Sequence, residues 1–351
     1  MTALCDPPIF DGHNDQLSKL LTARDPAAVF ASNREAAIDA PRARRGGFAG
    51  GLFAVWTPSP ETGGPDYGAM AEARFDVPLP AEVPQAQALP IAIKQVSILT
   101  ALERAGHLRV CRTVSEIRSA MAAGALAAVL HMEGAEPIDD GLETLDVFHA
   151  AGLRSLGPVW SRPNRFGHGV PFRFPASPDT GPGLSDLGKE LVGRCNALRI
   201  LVDLSHITER GFWDVAAISD APLVATHSNA HALCPTARNL TDRQLDAIAE
   251  RGGLVGVNFA TAFLREDGRM LPDVPLERIL DHVDYLITRL GEDGVAFGSD
   301  YDGAVVPHGV AGVDGLPRLR EAMRKRGYGA ELMEKLAFEN WLNVLQRTWG
   351  S

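Results

Sequence analysis

The chain has 351 residues, 45% hydrophobic and 22% charged, with 34 Lys and Arg against 44 Asp and Glu for a net charge of −10. That composition is ordinary for a globular protein and excludes a disordered chain, a coiled coil and a collagen-like repeat. The acidic balance argues against a nucleic-acid backbone binder, which needs clustered Lys and Arg, and no apolar run approaches the roughly 20 residues that span a bilayer.

Residues 1–8 have neither the basic start nor the apolar stretch of a secretory signal, so a soluble, cytoplasmic protein without a membrane partner is expected. Cys5, Cys111, Cys195 and Cys234 are scattered without a CxxC pair. This spacing suits neither a zinc knuckle nor a disulfide framework, and the four read as small buried apolar residues. Eight short aliphatic runs then predict strands at residues 8–13, 51–56, 127–133, 153–159, 199–206, 222–228, 253–259 and 294–300. Near-continuous apolar strands belong in a parallel sheet covered on both faces.

Helical stretches separate these runs. Thr113 with Glu116, and Thr241 with Gln244, have the spacing of capping boxes, and Gly252, Gly253 and Gly291 follow helices as stop signals. Repeated right-handed βα units predict an α/β fold, a (β/α)8 TIM-type barrel. An open doubly wound sheet is the alternative, but no Gly-rich phosphate loop follows the first strand. Residues 57–95, rich in Pro, Gly and Ala, read as a lid or insertion after strand two. Residues 158–182 form a second long loop, 305–317 a third, and 328–351 a closing helical segment. No linker divides the chain, so residues 1–351 read as one domain.

In such a barrel the reactive groups stand at the C-terminal ends of the strands. Strand one ends in Asp11-Gly12-His13-Asn14-Asp15, where residues two apart on an extended chain point the same way, so His13 and Asp15 can share an ion. Strand three ends in Glu133, a carboxylate closing an apolar run, costly to bury unless paired or metal-bound. Strands five and six end near His206 and His227, one βα repeat apart, and the last strand ends in Gly298-Ser299-Asp300-Tyr301-Asp302-Gly303. Three His, one Asp and one Glu are enough for two metal ions. None of the five lysines (19, 94, 189, 325, 335) lies at a strand end, which leaves Glu133 as the shared anionic ligand. The other histidines have plainer readings: His107, His149 and His282 as helical surface or packing residues, His231 as a local hydrogen-bond partner, His131 as a neighbour of the site.

Taken together, Asp11-Gly12-His13-Asn14-Asp15, Glu133-Gly134, Asp203-Leu204-Ser205-His206, His227-Ser228-Asn229 with Cys234-Pro235 and Arg238-Asn239, and Gly298 to Gly303 resemble the renal or membrane dipeptidases, a two-zinc branch of the amidohydrolase-like barrels. The resemblance covers nearly the whole chain. It implies one zinc on His13 and Asp15, a second on His206 and His227, and Glu133 and a hydroxide bridging both. It implies Arg238 as the anchor for a dipeptide's terminal carboxylate, Asp300 as the group that moves protons, and a homodimer. Hydroxide attack on a metal-polarised carbonyl is the expected chemistry.

The chain departs from the family in one place. Where many members carry a histidine after strand four, this one has Trp160, a candidate substrate-binding residue beside Phe172 and Phe174, with His168 a little further on. Two other readings compete with a metallo-dipeptidase: a hydrolase of another small amide, such as an N-acyl amino acid or a lactam, and a catalytically inactive barrel that binds peptides.

Overall fold

Strands form where neither face meets water, and the burial pattern follows the apolar runs. The structure, a computed structural model, describes residues 6–32 and 35–350, so Cys5 lies outside the described residues. Its strands are β1 (Ile9–Asn14), β2 (Phe48–Trp56), β3 (Phe75–Val77), β4 (Leu108–Val110), β5 (Leu126–Glu133), β6 (Leu153–Gly157), β7 (Phe172–Phe174), β8 (Leu201–Val202), β9 (Val224–Ala225), β10 (Leu254–Val257) and β11 (Val295–Phe297). Eight of them fall on the expected runs. β5 is buried at every position and β2 at all but its last.

The ladder runs in two pieces, not as one continuous eight-stranded ring. The first is a parallel path β1-β2-β5-β6-β8, with β4 beside the start of β5; the second is the parallel set β11-β10-β9. The architecture is thus α/β with a half-barrel parallel sheet. β8 and β9 are two residues each, too short to carry a regular ladder between them. Isolated parallel bridges join the pieces, at Asp203 with Val224 and at Asn14 with Tyr301.

Side chains from seven strands meet in one apolar cluster: Phe10, Leu52, Val129, Leu201, Val224, Leu254 and Ala296. Its floor is Trp341, fully buried on the helix Asn340–Trp349, with its indole N–H donating to the Phe297 carbonyl at 2.9 Å. That helix continues Ala330–Glu334 through a π turn at Lys335–Glu339, so the expected closing segment is helical from Ala330 to Trp349. The indole fits because Gly12 has no side chain; a Cβ there would stand 2.3 Å from Trp341 Cζ2.

Both expected capping boxes form. Thr113 accepts from the Glu116 N–H while Glu116 returns to the Thr113 N–H, and Thr241 donates its N–H and its hydroxyl to Gln244 Oε1 at 2.9 and 3.0 Å. Cys111, Cys195 and Cys234 are free and buried. His107 differs from expectation: it follows the helix Gln85–Arg104 and leads into β4, outside any helix. Residues 305–317 are not plain loop either, since they hold two short 3-10 turns and the start of the helix Leu316–Arg326.

The two long loops are joined to each other. β3, from residues 57–95, pairs antiparallel with β7, from residues 158–182, through Phe75 with Phe174, Asp76 with Arg173 and Val77 with Phe172. An Arg173–Asp76 ion pair at 2.8 Å reinforces the register. The C-terminal part of residues 57–95 is not loop but the first turns of the helix Gln85–Arg104.

Candidate metal centre

Four strand ends deliver imidazoles and carboxylates to one buried point. His13 lies in β1 and Asp15 just past it, Glu133 ends β5, His206 follows β8, and His227 follows β9. The Glu133 Oε1 atom lies 3.1 Å from His206 Nε2, 3.3 Å from His227 Nε2 and 3.7 Å from His13 Nε2. His206 and His227 bring their Nε2 atoms within 3.1 Å of one another, and His13 Nε2 lies 3.4 Å from Asp15 Oδ2. Two sets of three could each hold an ion: His13, Glu133 and His227, and His13, Asp15 and Asp300.

Hydrogen bonds behind the imidazoles fix which nitrogen faces the centre. Asp203 accepts from the backbone N–H groups of Ser205 and Thr226 and, at 2.6 Å, from the Thr226 hydroxyl. With its proton committed to Asp203, Thr226 Oγ1 accepts from His227 Nδ1–H at 2.7 Å. His227 Nε2 therefore carries a lone pair, aimed at a carboxylate oxygen. Ser161 Oγ holds His206 Nδ1 at 2.8 Å. Both ring nitrogens of His13 are buried with no hydrogen-bond partner among the described residues. One proton on Glu133 could serve one of its three imidazole contacts; a cation serves all three. The donor set fits a metal such as zinc, for which His nitrogen and carboxylate oxygen are ordinary ligands.

Without such a cation the electrostatics are strained. Burial pushes the Glu133 carboxyl well above its ordinary range, partly opposed by His13. Burial lowers the affinity of His13 for a proton, but Glu133, Asp15 and Asp300 outweigh it and raise the imidazole to about 10. Burial holds His206 and His227 well below the usual histidine range. The backbone is also unusual here: His206 has φ 66° and Asp300 φ 61°. Left-handed positions outside glycine cost of order 1–3 kcal/mol and gather at functional sites.

Asp300 stands after β11. Its Oδ2 accepts from Asn258 Nδ2 at 2.9 Å. Its Oδ1 and Asp15 Oδ2 both crowd Gly303, where a Cβ would lie 2.6 and 2.0 Å from them. Burial raises the Asp300 carboxyl. Asp302 accepts from the Ala37 N–H at 2.8 Å and so holds loop backbone.

A cavity of about 400 Å³ opens over this cluster. Asp15, Glu133, His206 and Asp300 form its floor, and Trp56, Trp160, Phe172 and Phe263 contribute to its walls. Trp160 meets Trp56 edge-on at 5.1 Å and Phe172 at 5.8 Å. Gly63, Pro65, Tyr67 and Met70 bring residues 57–95 to the opening.

The membrane dipeptidase profile, peptidase family M19, matches residues 2–349. The chain belongs to the membrane dipeptidase family. A metallo peptidase from Rhodobacter sphaeroides, crystallised with a phosphinate mimic of the dipeptide L-Ala-D-Ala, is 53% identical with a TM-score of 0.95, over 98% of this chain and 100% of that one. An uncharacterized protein in the pqqA 5′ region of Klebsiella pneumoniae is 50% identical over 263 residues, 74% of this chain and 97% of its own. An uncharacterized protein in the PQQ-III 3′ region of Acinetobacter calcoaceticus is 43% identical over 291 residues, 81% and 90% of the two chains. This member of the family is a metallo-dipeptidase, a hydrolase of peptide bonds. Among the described residues no helix is long and apolar enough to cross a membrane.

Arg238 does not line the cavity of this dipeptidase. Its guanidinium donates to the His227 carbonyl at 3.0 Å and to Ser228 Oγ at 3.3 Å, against the Phe263 ring at 5.2 Å, and its buried Nε has no partner among the described residues. His131 bonds Ser155 Oγ at 2.9 Å behind His13, His231 the Ala176 carbonyl, and buried His282 the Leu264 carbonyl and the Ala230 N–H.

Sequence reasoning passed over Asn258, Ser161 and Thr226. Thr226 and Ser161 carried a faint signal, a hydroxyl beside a strand-end residue. Asn258, just past β10 near the end of the run 253–259, is a polar residue closing an apolar strand and could have been read as Glu133 was.

Proposed function

We propose that this metallo-dipeptidase holds two zinc ions at the rim of a (β/α)8 barrel formed by residues 1–351 as one domain, with residues 57–95 as its lid or insertion. The apolar cluster drawn from seven strands, with bridges at both seams between the sheets, supports a closed ring. One ion would sit on His13 and Asp15 and the other on His206 and His227, with Glu133 shared. The observation that carries this reading is the His227 Nε2 lone pair facing Glu133 Oε1 at 3.3 Å, with two further imidazoles on the same oxygen. When bound, zinc polarises a carbonyl and makes water acidic enough to attack near neutral pH.

The substrate in this reading is a dipeptide with a free C-terminal carboxylate. A 400 Å³ cavity suits a molecule of that size, and the Rhodobacter relative was crystallised with a dipeptide mimic. Arg238, buried outside the cavity lining, would bind the carboxylate by turning its guanidinium from the His227 carbonyl and Ser228 Oγ toward the substrate, where it can make two parallel hydrogen bonds. Trp160 would pack against the substrate from the wall. Asp300 takes a proton from the attacking water and gives it to the nitrogen as the C–N bond breaks, because an amide nitrogen leaves only when protonated. Asn258 occupies Oδ2, so Oδ1 is the oxygen free to carry that proton. A cytoplasmic setting is supported by the three free buried cysteines. A homodimer is proposed on the family resemblance alone.

The test is a panel on zinc-saturated protein: a free dipeptide, its C-terminal amide and an N-acyl amino acid. Turnover of the first alone is expected. Cleavage of the N-acyl amino acid without the dipeptide refutes the proposed substrate class, and well under one ion per chain after zinc addition refutes the dinuclear centre.

A further inference from the structure

We infer that the buried Arg162–Glu136 ion pair is a positioning device for the metal centre, locking the turn that carries Glu133, the loop that holds His206 and the base of the segment over the cavity into one frame. The inference rests on the dinuclear reading above.

Arg162 is 0% exposed and Glu136 is 1% exposed. Arg162 Nε and Nη2 both donate to Glu136 Oε1, at 3.0 and 2.9 Å; Nη1 donates to Ser59 Oγ at 3.0 Å and Nη2 to the Thr57 carbonyl at 3.0 Å. One guanidinium therefore joins three segments far apart in sequence. Each of them leads to the site.

Glu136 lies three residues past Glu133, across a turn at Gly134. That glycine has φ 85°, and a Cβ on it would stand 2.3 Å from Glu136 Oε2, so the turn and the carboxylate are fitted together. Ser161, next to Arg162, holds His206 Nδ1. His206 sits in a left-handed conformation and needs external support, which comes from this same loop: Ser161 on its ring and the Val170 N–H on its carbonyl at 2.7 Å. Thr57 and Ser59 begin the segment that reaches Tyr67 and Met70 at the cavity opening. Trp160, on the other side of Ser161, stands in the cavity wall with Arg162 Cζ 5.4 Å from its ring centre.

A buried ion pair is a poor way to gain stability, since apolar residues of like volume often do as well or better. Its effect here is on geometry. Glu133 and His206, 3.1 Å apart, approach from separate strands, and the pair fixes the backbone behind both.

The experiment compares wild-type protein with the double variant Arg162→Met/Glu136→Leu, which leaves no lone buried charge, and with Ser161→Ala and Arg162→Lys. Metal affinity is read by competition with a chromogenic chelator, alongside kcat, KM and Tm. The double variant should keep its Tm near wild type, bind one of two zinc ions about ten- to a hundredfold more weakly, the usual effect of losing a ligand's supporting partner, and raise KM. Ser161→Ala should weaken the same ion and leave KM unchanged, and Arg162→Lys, which keeps the charge but not the fork, should fall between wild type and the double variant. Wild-type metal affinity and KM in a folded double variant overturn the inference, as does a double variant that loses only Tm. If the double variant does not fold, unchanged metal affinity in both single variants overturns it. Wild-type protein that binds no zinc would instead sink the dinuclear reading itself.

Discussion

Replacing Asp300 with Asn tests the proposed division between the group that moves protons and the metal ligands. The two side chains have nearly the same shape, and Asn258 Nδ2, now 2.9 Å from Asp300 Oδ2, can donate equally well to an amide oxygen. The amide nitrogen then takes the Oδ1 position, beside Gly303. The rotamer is held by the Asn258 bond, so the cavity floor keeps its form while the ability to accept a proton is gone. General acid–base catalysis contributes about 10²–10⁴-fold, which at 1.36 kcal/mol per factor of ten is about 3–5 kcal/mol of barrier. We expect kcat for a free dipeptide to fall by that factor, KM to change by no more than a few-fold, and zinc content by elemental analysis to stay at the wild-type value. Loss of one ion would refute the reasoning by making Asp300 a ligand, which its closeness to His13 and Asp15 makes a meaningful outcome. More than a tenth of wild-type kcat would refute it from the other side.

Gly303→Ala places a methyl group 2.0 Å from Asp15 Oδ2 and 2.6 Å from Asp300 Oδ1; both carboxylates must move, so zinc affinity should fall at least tenfold by chelator competition. If Arg238 binds the carboxylate as proposed, Arg238→Met removes a charge-assisted hydrogen bond worth about 1.5–3 kcal/mol, so KM for a free dipeptide should rise about 10- to 150-fold and that for its C-terminal amide far less; equal effects on both would remove the proposed role. Zinc at a hundredfold over its Kd should add about 2.7 kcal/mol of stability, seen in calorimetry as a rise in Tm of a few degrees that a chelator reverses; no shift would count against a preformed site.

Much of the centre was legible in sequence because its signals are local. His13 and Asp15 are two residues apart at the end of one strand, and Glu133 closes a run that is apolar but for His131, so each stands out without knowledge of the fold. The eight strands were legible for the same reason: a run buried on both faces has few polar interruptions. β3 and β7 were not, because three residues are too few for any period and their pairing spans nearly a hundred positions. The Arg162–Glu136 pair was hidden likewise, since a charged residue in a polar loop reads as a surface group until tertiary packing surrounds it. The support behind the ligands was partly visible: Asp203 belongs to a motif that could be quoted, but its role, holding a hydroxyl that sets the tautomer of His227, depends on strand neighbours. Trp341 gave no sign of lying beneath the strands, because one aromatic on an amphipathic helix looks like any other.

The antiparallel ribbon of β3 and β7 bears on how this enzyme can change its diet. A flap tethered only at its hinges can be lengthened or trimmed on its own. Here the canopy is stitched to the aromatic side wall through Phe75 with Phe174 and Val77 with Phe172, so a shift in one drags the other. Admitting a bulkier peptide therefore takes matched substitutions in two distant stretches of the gene, and a loop grafted singly from a relative would tear the seam before it widened the chamber.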